Sequence, residues 1–407
     1  MLADVLMPNH TIKYELLSFD RPVFAFSITE STDARHPAIF RLLDAGDRAL
    51  FPLGLQNLSD RELETAIRNW LDSRITMLGR RLAARIRNLP NPAPWNPLRL
   101  VAVTHGLSLN DVFWMRENGE HLSWADVNLY SRPFSRELEG VLLTGKAVDE
   151  MEGLSPDFTL DGRMRKSWMR DSRGTFLVKS DRRCGILSQS MCEWFAAQAA
   201  AVFGISHVTY DLRPVGKNGY PASECPMFTT EDTGFVKASQ VFSFKGFKRD
   251  ALTLHTLGDV RLHEAMADAF GRKAYEDMMA FDFLIGNIDR HLGNYGWLVD
   301  NHSGDPVGIA PLFDHGKAFF ADEPAVPEDV EDWIRTEAQI STFLQPEEQL
   351  EFIRERHEEG ILRLQEWEPR QHPAFPISDA ELEALRTFTR CQCAQALEAL
   401  STPTPRP

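Results

Sequence analysis

Cysteine is scarce in this chain of 407 residues, and the five present, Cys184, Cys192, Cys225, Cys391 and Cys393, form neither an evenly paired set nor two C-x-x-C pairs. A disulfide framework and a four-cysteine zinc site are thereby excluded, and reduced thiols are expected. Cys391-Gln392-Cys393 falls in a helix-like stretch, where positions two apart face different ways, so it reads as structural. Long apolar runs are missing as well. None approaches the roughly eighteen residues of a membrane span, and Met1-Leu2-Ala3-Asp4 lacks the basic start and apolar core of a leader. A cytoplasmic protein with no membrane span is the expectation. Positive charge is the third shortage: Lys and Arg number 44 against 59 Asp and Glu, a formal charge of −15. That balance argues against direct nucleic-acid binding, since phosphates are met by Lys and Arg, and against recruitment to an anionic lipid surface. Internal repeats and long low-complexity tracts are absent, and only Ser401-Thr402-Pro403-Thr404-Pro405-Arg406-Pro407 reads as a disordered tail.

What remains is a chain long enough for two or three domains with substantial cores. Up to about residue 145 short strands mix with one strong helix, in which Leu63, Ile67, Trp70, Leu71 and Ile75 recur at helical spacing after the cap Ser59. Pro90-Asn91-Pro92-Ala93-Pro94 breaks it, and the block Gly106–Trp114 opens a second half with Trp124, Phe134 and Leu138 as bulky anchors. No catalytic constellation occurs here, and its aromatic residues read as core.

The chemistry is concentrated further on. Asp289-Arg290-His291-Leu292-Gly293-Asn294 follows the apolar run Met278–Ile285, which a stop at Gly286-Asn287 marks as a helix end, and Asp314-His315-Gly316 comes after two short strands joined by Asn301–Asp305. An acid five residues ahead of an amide, with a second acid at a strand end, gathers three oxygen-bearing groups around one point. In protein kinases the first aspartate accepts the proton of the substrate hydroxyl, while the asparagine and later aspartate hold Mg²⁺ on the phosphates of ATP. Magnesium is a hard cation that prefers such oxygens.

Upstream, Asp161-Gly162-Arg163-Met164-Arg165-Lys166 is a basic, turn-like segment that either covers phosphates or forms a solvated hairpin tip. Gly174–Lys179 alternates as a strand ending in a lysine expected outside the core, the position from which a kinase lysine reaches the α- and β-phosphates. A helix follows from about Ser190 to Phe203, with Gly204 as its stop. Glu193 either caps that helix as the partner of Ser190 or pairs with Lys179. Val208–Leu212 and Ala222–Phe228 bracket the hairpin signal Gly216-Lys217-Asn218-Gly219, completing a five-stranded lobe with one helix. Phe228-Thr229-Thr230 is the expected hinge against adenine, and later helices are expected over Glu347–Gln365 and Asp379–Leu400.

With Lys179, Glu193, Asp289-Arg290-His291-x-x-Asn294 and Ala310-Pro311-Leu312-Phe313-Asp314 in one order, residues 150 to 400 resemble the HipA-like serine/threonine kinases. The order Asp-Arg-His is shared by that family and by phosphoinositide kinases. The resemblance implies Asp289 as catalytic base beside Arg290 and His291, Asn294 and Asp314 as Mg²⁺ ligands, and Lys179 with Glu193 as the ATP lysine and its partner. It also implies Gly162, Arg163 and Lys166 as the phosphate loop, with Phe228 and Thr229 at the nucleotide. Thr159 sits where founding members of the family carry an autophosphorylated serine, and Ser167 and Ser172 are further acceptors in the same loop. The first 150 residues resemble the extension of solitary family members rather than the small amino-terminal subdomain of the toxin.

The expected fold is α+β and bilobal: an N-terminal α+β region over 1–145, a β-rich small lobe over 146–230, a mostly helical large lobe over 231–400 and a tail over 401–407. The expected activity is ATP- and Mg²⁺-dependent transfer to protein Ser/Thr hydroxyls with autophosphorylation, with an antitoxin or regulatory protein as further partner. A lipid or small-molecule kinase, and a nucleotide-binding regulator of low turnover acting through the N-terminal region, are the alternatives.

Overall fold

One reversal of the chain shows how sequence shapes the first elements. Strand β1 (Thr11–Ser18) turns at Phe19-Asp20, where Phe19 takes a φ of 51°, into the antiparallel strand β2 (Arg21–Thr29). Tyr14 stands opposite Phe26 and their rings stack at 5.6 Å. In the computed structural model, residues 11–29, 38–86, 97–149, 153–162, 164–180, 187–248, 252, 258–321, 323–336 and 344–401 are described; Cys184 and the Pro90–Pro94 and 402–407 stretches lie outside them. The fold is mixed α and β with antiparallel sheets, and the chain divides into two units. Among the described residues no helix is long and apolar enough to cross a membrane.

The first unit comprises Met1–Arg173, Thr229–Val236 and Leu298–Val307. Its sheet runs β3 (Ile39–Asp44), β2, β1, β4 (Phe113–Glu117). Leu16, Phe24, Phe26, Ile28, Phe40 and Trp114 are buried, and so are their neighbours Leu17, Val23, Ser27 and Met115, so the sheet is covered on both faces around its centre. The expected helix spans Asp60–Ser73 with the Ser59/Glu62 capping box in place and Leu63, Ile67, Trp70 and Leu71 inward. It ends at Arg74, whose guanidinium makes two 2.9 Å bonds to Asp111, and a second helix, Met77–Ala83, starts at the Thr76 cap. Strand β5 covers Arg165–Asp171, so the basic segment is not a solvated tip throughout: Lys166 is buried and Ser167 is 0% exposed. The cause is Asp157, in the turn Pro156–Thr159, whose buried carboxyl accepts Ser167 Oγ at 2.5 Å and the Trp168 amide at 2.8 Å and draws the strand start inward.

The second unit comprises Gly174–Phe228, Lys237–Trp297 and Gly308–Pro407. Three strands of it pair antiparallel, β6 (Gly174–Ser180) with β8 (Tyr220–Pro226) and β8 with β7 (Asp211–Val215); with β5 the described residues of 146–230 hold four strands, where five were expected. The hairpin turns at Gly216 and Gly219, both at positive φ, which glycine adopts without a Cβ clash. The helix Gln189–Phe203 begins one cap earlier than expected: Ser188 accepts the Met191 amide, and Gly204 at φ 93° stops the other end. Instead of one helix over 347–365 the chain forms Pro346–Leu350 and Glu358–Gln365. Between them Arg354 and Arg356 turn to the buried Glu276 at 2.8 and 2.7 Å. The helices Arg272–Ile285 and Asp379–Ser401 each bury a row of side chains in the core of this unit.

Candidate active site

The helix Arg272–Ile285 is apolar along its last turns except for one acid, Asp282. It stops where it does because Gly286 takes φ 61° and its amide and that of Asn287 bond back into the last turn. Beyond it the chain folds on itself. The Asn294 amide donates to the His291 carbonyl at 2.9 Å, and Asn294 Nδ2 donates to the Asp289 carbonyl at 3.0 Å. The Asp289 side chain and the Asn294 Oδ1 end are thus held on one small loop. His291 is exposed, its Nδ1 accepting the Gly293 amide at 3.0 Å.

Arg290 points inward. Its Nε and Nη2 grip Asp282 at 2.7 and 2.9 Å, and its Nη1 donates to the carbonyls of Asn294 at 2.8 Å and Phe313 at 2.6 Å. The loop bearing Asn294 and the segment bearing Asp314 are therefore tied to one guanidinium. Asp314 is fixed from other sides too: Leu312 bonds alongside Ser206 and Val208, the Asp314 amide donates to Tyr210 Oη at 3.0 Å, and its own φ is 61°.

Lys179, at the end of β6, sits opposite Ser223 of β8 and is 3% exposed. Its Nζ donates to Glu193 Oε1 at 2.6 Å and to Asp314 Oδ1 at 2.7 Å. Ser223 Oγ donates to the other Glu193 oxygen. Glu193 is therefore the partner of Lys179, not a cap, and Lys179 belongs to the core rather than outside it: with Ser188 capping the helix, Ser190 is released to donate to the Lys179 carbonyl at 3.2 Å. Burial alone would depress the Lys179 pKa, but the charges of Asp314 and Glu193 outweigh it and hold the ammonium above its usual range. Asp289 is pushed up, chiefly by burial, with the Asp314 charge adding and His291 opposing. His315 is wholly buried against Phe281, and neither ring nitrogen has a hydrogen-bond partner among the described residues. Burial, then the Arg290 charge, keeps it neutral.

Lys179, Glu193, Asp289, Arg290, His291, Asn294 and Asp314 all fall in the second unit. Phe228 does too, where its ring meets Phe313 at 5.5 Å beside Val208, Tyr210 and Cys225. Gly162, Lys166 and Thr229 belong to the first unit, in which Thr229 Oγ1 donates to the Leu109 carbonyl at 2.6 Å; Arg163 lies outside the described residues. Asp282, Ser223 and Tyr210 were not anticipated. A lone acid inside the apolar run Met278–Ile285 was the signal for the first.

The side-chain oxygens of Asn294 and Asp314 are of the hard kind that suits Mg²⁺, and a divalent cation held there would offset the Asp314 charge, which adds to the mainly burial-driven rise of Asp289.

No family model matches the chain, and no curated protein does. Solved structures do. A chain of the Shewanella oneidensis MR-1 toxin–antitoxin complex of HipA, HipB and operator DNA is 12% identical, with a TM-score of 0.50 over 96% of this chain and 100% of that one. The chain shares HipA's fold. That likeness runs well beyond residues 150 to 400, where the motifs lie. The Helicobacter pylori proinflammatory kinase CtkA also matches, at 16% identity and a TM-score of 0.40, over 59% of this chain and 93% of that one.

Proposed function

We propose that the chain transfers the γ-phosphoryl group of Mg²⁺-bound ATP to the hydroxyl of a protein serine or threonine. The observation that carries this reading is the convergence on Asp314: Lys179 bridges it to Glu193, Arg290 ties its segment to the Asn294 loop, and Asp289 lies close enough to feel its charge. Asn294 and Asp314 would hold Mg²⁺, and Lys179, oriented by Glu193, would hold the α- and β-phosphates. Bound Mg²⁺-ATP supplies the transferable phosphoryl group with its developing charge neutralised. Asp289 would orient the acceptor hydroxyl and take its proton, a task that a carboxylate with a raised pKa performs better than an ordinary one. Phe228, whose ring packs on Phe313, would flank the base.

Autophosphorylation belongs to the same reading. Ser167 is buried against Asp157, whereas Ser172 is exposed at the turn after β5 and Thr159 is partly buried. Ser172 is therefore the favoured acceptor, with Thr159 second. The fold of HipA, which occurs with HipB and operator DNA in the S. oneidensis complex, supports an antitoxin or regulatory partner here. The test is transfer from [γ-³²P]ATP by the purified chain to protein, to phosphoinositide vesicles, or to itself with no acceptor added. Label on protein supports the reading, label on lipid alone replaces it with a lipid kinase, and ATP binding without transfer replaces it with a nucleotide-binding regulator.

A further inference from the structure

Asp282 is 1% exposed and sits in the last turn of the Arg272–Ile285 helix. That is a poor place for an acid, since the carbonyl end of a helix already carries partial negative charge and a buried carboxylate loses its hydration. Its oxygens are met by three donors: Arg290 Nε at 2.7 Å, Arg290 Nη2 at 2.9 Å and Asn287 Nδ2 at 2.8 Å. The fork fixes the plane of the guanidinium. In that plane the remaining nitrogen, Nη1, spans the Asn294 and Phe313 carbonyls at 2.8 and 2.6 Å. One carbonyl belongs to a proposed Mg²⁺ ligand, and the other precedes the second ligand by one residue.

Resting on the reading of Asn294 and Asp314 as ligands, we infer that Asp282 is a positioning residue that sets their separation through Arg290 and so determines the affinity of the site for a divalent cation. A lysine at 290 offers one nitrogen and cannot grip Asp282 with two bonds while reaching both carbonyls. A neutral Asn at 282 keeps the volume but offers one acceptor oxygen in place of two. In either case the two ligand-bearing segments lose their common brace while the ligands themselves remain.

The experiment is Mn²⁺ binding to the full chain with a non-hydrolysable ATP analogue, followed by electron paramagnetic resonance, together with analogue binding in EDTA and the Mg²⁺ dependence of transfer. Asp282→Asn and Arg290→Lys should each weaken Mn²⁺ at least about tenfold, the scale seen when a group supporting a metal ligand is lost. Each should raise the Mg²⁺ concentration for half-maximal transfer alongside, with metal-free nucleotide affinity within about twofold of the parent. The double variant should be little worse than either single one, because both act on one brace. Near-UV circular dichroism selects variants that fold, and Arg290→Lys, which keeps its positive charge beside Asp282, stands in should Asp282→Asn not fold. Unchanged Mn²⁺ affinity in folded variants with a lowered melting temperature would make the brace merely structural and overturn the inference. A parent chain that binds no Mn²⁺ would instead remove the ligand reading beneath it, a result distinguishable from the first.

Discussion

Replacing Lys179 by Met tests whether the buried ion cluster is real, because its effect on stability is separable from any effect on activity. Among the described residues Lys179 is the one cation bonded to Glu193, which is 0% exposed, and it also holds Asp314. Removing one partner of a buried pair leaves an uncompensated charge and costs about 3–5 kcal/mol. At about 2–4 °C per kcal/mol for a domain of about 200 residues, the variant should melt about 6–20 °C below the parent at pH 8. The sign with pH follows from Glu193, which burial pushes above its ordinary value. Without Lys179 its folded pKa lies further above the unfolded value of about 4.3. The stability it contributes is then present below that value and lost as pH rises through the folded pKa. The deficit should therefore shrink as pH falls toward about 4. Adding Glu193→Gln should recover at least about half of the loss at pH 8, since a neutral amide can keep the bond to Ser223. Urea denaturation at several pH values is the assay. Equal stability of parent and Lys179→Met at pH 8, with no gain from Glu193→Gln, would refute the reasoning.

Asp157 is pushed up to about 7 by burial, against the lowering effect of Ser167 and Trp168. Its contribution to stability is full below about pH 4 and falls by up to about 1.4 kcal/mol per pH unit until about pH 7; Asp157→Asn should remove that slope and leave the variant more stable at pH 8, and identical slopes in paired urea titrations would count against it. At Gly286 an added Cβ would meet Phe388 Cζ at 2.6 Å on a backbone already at φ 61°. Gly286→Ala should accordingly cost about 1–3 kcal/mol and lower transfer with it, and a variant as stable as the parent would show that the helix stop does not require glycine. Asp314→Asn should weaken nucleotide binding about tenfold or more with Mg²⁺ present and little in EDTA, which equilibrium titration with and without the metal decides.

The sequence carried most where local rules act alone. The cap Ser59, the glycines 204, 216, 219 and 286, and the burial period of the first helix all follow from capping, positive φ and spacing, and each stands as read. Position in the series was also enough to bring Lys179, Glu193, Asn294 and Asp314 into one unit. What escaped depended on tertiary neighbours. A strand-end lysine is usually solvated, and only Glu193 and Asp314 explain its burial. Ser188 and Ser190 both suit a cap, and the choice fell to the strand carbonyl that one of them reaches. The break in 347–365 is set by Glu276 on a distant helix. Ser167 looked like part of a basic loop because Asp157, ten residues away, gives no sign in sequence that its carboxyl is buried.

The central claim is that Asp289 acts on the acceptor hydroxyl while other residues hold the nucleotide, and single-turnover transfer from saturating [γ-³²P]ATP by Asp289→Asn tests it most directly. The expected result is a rate lowered about 10²–10⁴-fold, the contribution of a positioned general base, with nucleotide affinity within about twofold of the parent. Transfer at the parent rate would contradict the account.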